Sequence, residues 1–161
     1  MYVSYILMGM SFVLLSLTGL MGYFHFTVLG ANHIQFSLLS SILFMFTETL
    51  IMFYFIATGK HIKTYISENN CDAELYLKVV KMKMKLFPHV TMNMVIIGAV
   101  FILGGAVDSG SFPGWVHGLL FDLGLVHFGW VILIQHACFR ENTELVIQLY
   151  NQVQLTTAEA G

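Results

Sequence analysis

Glu48 is the only charged residue in the apolar run 34–57, and Asp122 and His127 interrupt the apolar run 115–138. An ionisable group in hydrocarbon is costly without a partner, so these positions are where chemistry is expected first. Counted inward from one side, Glu48 is about 14 residues into its run and His127 about 12 into its own; at ~1.5 Å per residue both are expected roughly 20 Å deep. A carboxylate and an imidazole at one depth can share a proton, coordinate a metal or relay protons within a larger assembly. Each can equally do no more than bond across to a neighbouring helix. Asp122 and His127 are five residues apart, about 140° around a helix, and so point in two directions. With neither facing lipid, this predicts a further subunit or a second copy of the chain beside that helix.

The seven histidines are the next candidates. In a membrane arrangement His25, His33 and His117 gather at one surface, His61, His89 and His136 at the other, and His127 lies deep. Membrane haem b is held between two histidines on facing helices at matched depth. That makes His33 with His117 one candidate ligand pair and His89 with His136 another, and haem b the cofactor they imply. The same residues also read as interface histidines beside water.

His33, Ser37, Ser41 and Glu48 fall near one helical face, since 15 residues at about 100° each return to within ~60°. Such a stripe can guide protons or bind a polar ligand. Ser37-x-x-x-Ser41 is also a small-residue seam for a close helix, as are Gly114-x-x-x-Gly118 and the glycines 98, 104 and 105. There is no phosphate-binding glycine loop, no His-Glu-x-x-His and no Cys-x-x-Cys. With no marked nucleophile and base, the chain is not expected to be an enzyme on its own.

The elements that carry these residues follow from composition. The chain has 161 residues, 57 % hydrophobic and 10 % charged, with mean hydropathy +0.77; an ordinary soluble domain is about 45–50 % apolar and about 25 % charged. A net charge of −2 excludes the basic face that nucleic-acid binding needs. Aromatic content of 14 % excludes a disordered chain. The fold class expected is an all-α integral membrane four-helix bundle forming one membrane domain, because each apolar run approaches the ~20 residues that span a bilayer. Its spans are 3–24, 34–57, 90–107 and 115–138, followed by a cytoplasmic tail, 139–161. Short, turn-rich links make the first and last pairs antiparallel hairpins. Tyr54 and Trp115 suit the interfacial aromatic belts.

Lys60, Lys63, Lys78, Lys81, Lys83 and Lys85 lie between the second and third spans, and Arg140 follows the fourth. The positive-inside rule then places both termini on the cytoplasmic or matrix side of a bacterial-type inner membrane or an organellar inner membrane. The first span lacks a basic n-region and a small-residue cleavage site, and is expected to be retained. Cys71 and Cys138 fall on the reducing side, as free thiols. Within 73–86, Leu75, Val79, Met82 and Leu86 share one face and Lys78, Lys81 and Lys85 another. This predicts an amphipathic helix in the headgroup layer, each lysine favoured by anionic lipid by about 1 kcal/mol. Pro88 then suits the first turn of the third span.

Three functional readings follow. The first is a small multi-pass subunit of a larger respiratory, redox or ion-translocating membrane complex, with Glu48, Asp122 and His127 bonding across helices or relaying protons. The second is a haem b electron carrier using the histidine pairs. The third is a proton-coupled or metal transporter centred on Glu48 and His127.

Overall fold

The computed structural model describes residues 2–69, 71 and 74–159, with side chains as far as 154. It contains the helices α1 (Tyr2–Phe24), α2 (His33–Glu68), α3 (Glu74–Asp108) and α4 (Gly114–Glu159). All four are long and apolar enough to cross a membrane, as the apolar runs predict. Large side chains, among them Ile6, Ile42, Phe53, Val95, Ile102 and Val126, are exposed and make an extensive apolar perimeter, consistent with a multi-pass membrane protein.

The helices pack in a ring, α1 on α2, α2 on α3, α3 on α4 and α4 back on α1. Ser11 meets Thr47 at 3.0 Å and Thr18 meets Ser40 at 2.8 Å, so residues seven apart on α1 match residues seven apart on α2 in reverse order. This heptad-spaced, buried hydroxyl ladder sets the antiparallel register of the first hairpin. Side chains of α2 and α4 fill the centre, where Phe44 stands edge-on to Phe128 with ring centroids 4.9 Å apart. The end carrying the links 25–32 and 109–113 is called the distal end below, and the opposite one the termini end.

Local sequence accounts for both distal links. Asn32 and Gln35 form a capping box at the start of α2, each side chain accepting from the other's backbone N–H, at 2.9 and 3.1 Å. At the end of α3, Gly110 takes φ 72° while its N–H bonds Val107 and the N–H of Ser111 bonds Ala106. That is the Schellman arrangement, which needs a left-handed residue and therefore favours glycine.

The structure corrects the expected interfacial helix. Residues 74–86 are helical but continuous with the third span, and Pro88 lies inside α3 instead of in its first turn. The apolar face is the one expected, but its partner is protein. Val79 packs with Ile62, Ile66, Leu145 and Leu149, because α2 and α4 also run on beyond the level at which α1 begins. The tail is likewise a continuation of the fourth span, helical through Glu159. Ala73 and residues 160–161 lie outside the described residues. Lys85 pairs with Glu141 at 3.6 Å and Lys78 donates to Gln148 at 3.3 Å, so two of the three lysines expected on lipid reach toward α4.

Candidate functional site

Polar side chains meet at several levels of the bundle, and α4 supplies one partner at most of them. At about 100° per residue its positions sort into three faces. Phe121, Phe128 and Gln135 face the core, Asp122 and His136 face α1, and His127 faces α3.

Glu48 and His127 are not brought together. Glu48 is fully buried, and its Oε2 accepts from Gln135 Nε2 at 2.6 Å across the centre of the bundle. Gln135 is eight residues, or about 12 Å of helix, beyond His127. Two buried acceptors, Glu48 Oε1 and Gln135 Oε1, have no partner among the described residues. His127 bonds Asn93 instead, Nδ1 to Oδ1 at 2.9 Å. Since the amide oxygen can only accept, the Nδ1 of His127 donates this bond.

The two directions of Asp122 and His127 are both met within the chain. Tyr23 of α1 donates to Asp122 Oδ2 at 2.6 Å, and α3 takes His127. Gly118 makes room for the tyrosine, as a Cβ there would lie 3.1 Å from its hydroxyl. A helix in a closed ring has two neighbours, so the geometric reason for placing a further subunit beside α4 falls away. Tyr23→Phe is expected to cost no more than about 1 kcal/mol, because the pair is exposed. Unfolding titration of the variant in mixed micelles checks this.

His33 and His117 are brought together at the distal end, within electrostatic reach of each other. The capping box orients His33 at the start of α2, and its ring lies against Gly22, where a Cβ would be 3.2 Å away. His117, in the first turn of α4, lies against Gly104, where the corresponding distance is 3.4 Å. The Nδ1 atoms of both rings are buried and have no hydrogen-bond partner among the described residues. The other expected pair does not form: His136 is exposed and bonds Tyr5 Oη at 2.9 Å, whereas His89 lies beside His127, ring centroids 6.0 Å apart and tilted by 42°. The reason is azimuth, since His127 and His136 are nine residues apart, about 180° around α4.

Of the expected serine stripe, Ser37 bonds its own helix at Ile34, while Ser40 and Thr47 make the buried contacts to α1. Among the small residues, Gly98 lies under Met45 and Gly104 under His117, and the Cβ of Gly105 would meet nothing within 4 Å. Asn93, Gln135 and Asn142, which bonds Tyr54 Oη at 3.2 Å, are buried partners that charge placement does not reveal. Asn93 and Gln135 are each the only amide side chain in their apolar runs, a signal available in the sequence.

Among the described residues no group of three or more His, Cys, Asp or Glu side chains is placed to hold a metal ion. No protein-family model matches the chain, and neither does any curated protein or solved structure. A bare transition metal needs about four protein ligands in a closed site, whereas a haem brings its own macrocyclic donors and needs only axial ligands from the protein.

Proposed function

We propose that this protein is a small multi-pass subunit of a membrane redox complex and carries electrons through a haem b held between His33 and His117. The observation that carries the reading is the pair of buried Nδ1 atoms without hydrogen-bond partners on these two rings. A buried polar atom left unpaired costs about 1–3 kcal/mol, and a haem held by the two histidines would give each ring a further partner. Gly22 and Gly104 let the His33 and His117 rings pack closely on α1 and α3.

The purified full chain, from cells supplied with haem, is expected to give a sharp α-band on reduction with dithionite. His33→Ala and His117→Ala are each expected to lose the band or change it to that of a five-coordinate iron. A well-folded, fully haem-supplied preparation without any α-band overturns the reading. Mass spectrometry of co-purifying chains tests the subunit role, and a chain that always migrates alone rejects it.

The bundle is proposed to sit with its termini end on the cytoplasmic or matrix side, because every Lys and Arg of the chain lies toward that end. Cys71 is partly exposed between α2 and α3, and Cys138 is buried. In sealed, right-side-out vesicles a membrane-impermeant maleimide is expected to leave Cys71 unlabelled until the membrane is opened. Labelling in the sealed state reverses the orientation.

A further inference from the structure

We propose that the outer flank of the α1–α4 seam docks a transmembrane helix of another subunit, one that carries a Lys or Arg opposite Asp122; this rests on the reading that the chain is a subunit of a membrane complex. The ring satisfies the direction of Asp122 but leaves its side chain exposed. Asp122 lies eight residues, about 12 Å of helix, beyond the start of α4 at Gly114. Its neighbour Phe121 packs on Gly19, five residues before the end of α1, which gives a similar depth from the other helix. The 23 residues of α1, at ~1.5 Å each, are about as long as the ~30 Å hydrocarbon layer is thick, so that depth is inside it. Tyr23 donates a hydrogen bond to Oδ2, but among the described residues no cation pairs with the carboxylate. An acidic side chain turned to lipid is expensive, and a cation on an adjoining helix offsets that cost.

The rest of the flank fits a helix lying along it. Gly129 and His136 follow Asp122 at seven-residue steps, so the three share one line of α4 to within about 40°. His136 is exposed toward the termini end, where it bonds Tyr5 of α1. Between the two polar pairs the surface is low. A Cβ on Gly129 would touch only the edge of Phe12, at 3.8 Å, and one on Gly9 of α1 would meet nothing within 4 Å. Small residues at such a point let another helix approach closely. Val126 and Leu133, beside this line, are 75 % and 65 % exposed. A second copy of the chain in the same orientation cannot supply the cation, because every Lys and Arg lies toward the termini end. The occupant is therefore a different chain.

Photo-crosslinking of the full chain in native membranes tests the surface, using Val126→benzoylphenylalanine on α4 and Ile102→benzoylphenylalanine on α3. The first is expected to link to a transmembrane segment of a co-purifying chain that has a Lys or Arg about one turn from the linked residue; the second is expected to form no such link. Asp122→Asn is expected to cut co-purification of that chain roughly tenfold or more, with helicity and elution in mixed micelles unchanged. Asp122→Lys, combined with an Asp at the partner's cation, is expected to restore it. No protein link from position 126, a link to a segment without Lys or Arg, or a link to a second copy overturns the surface; chains that still co-purify then leave the subunit reading standing. Unchanged co-purification of the Asp122→Asn chain overturns the surface as well. A chain that always migrates alone overturns both readings.

Discussion

Glu48→Ala is expected to lower the unfolding free energy by about 3 kcal/mol, and Glu48→Gln by less than about 1 kcal/mol. Alanine removes the acceptor of Gln135 Nε2, leaving a buried amide with no partner and a cavity beside it. Glutamine keeps the acceptor and adds a donor. That donor is what the site lacks, because Glu48 Oε1 and Gln135 Oε1 are both buried acceptors without partners. A proton on Glu48 Oε1 supplies the same donor, making a neutral carboxylic acid face an amide in a paired hydrogen bond. An ionised carboxylate here would face acceptor oxygen with no cation in contact, at a cost of many kcal/mol. Denaturant titration in mixed micelles distinguishes the cases. If Glu48→Gln costs as much as Glu48→Ala, the neutral acid–amide pair is wrong and a charged Glu48, as a proton relay needs, regains its case.

Phe128→Ala is expected to cost about 2 kcal/mol in the same titration, below the 3–5 kcal/mol usual for such a change in water-soluble cores. Phe128 is fully buried, edge-on to Phe44 and tilted against Phe12 at 6.1 Å. Truncating it removes van der Waals contacts across the α2–α4 diagonal. In a bilayer the separated helices remain in hydrocarbon, so little transfer free energy is lost and mainly the packing loss remains. An apolar cavity of this kind should accept benzene and regain part of the loss. A change below about 0.5 kcal/mol would mean that the ring is not a central packing element.

The histidine pairs illustrate how depth misleads when used alone. Residue counting along the spans places His89 and His136 at one level, and they do occupy the same end of the bundle. Their azimuths differ, so His136 turns to Tyr5 and His89 to His127. His33 and His117 both lie near helix starts at the distal end, where Asn32 caps the start of α2 and Gly110 ends α3 ahead of α4. The α1–α2 ladder was open to sequence reading, since Ser11 and Thr18, and Ser40 and Thr47, share a seven-residue spacing. A search for charge passes over hydroxyls and amides.

The four long apolar helices and the apolar face of 74–86 are determined by the sequence alone. Each is a one-dimensional property, set by run length against bilayer thickness and by helical periodicity. Partner choice is decided only by the tertiary structure. Glu48 meets Gln135, His127 meets Asn93 and Asp122 meets Tyr23 because the ring order of the helices and the rotation of each about its axis select the contacts. The same rotation gives α4 two protein neighbours, and it turns the lysine-bearing extension of α3 toward α4. Both outcomes depend on how four long helices share a core, which no single helix records.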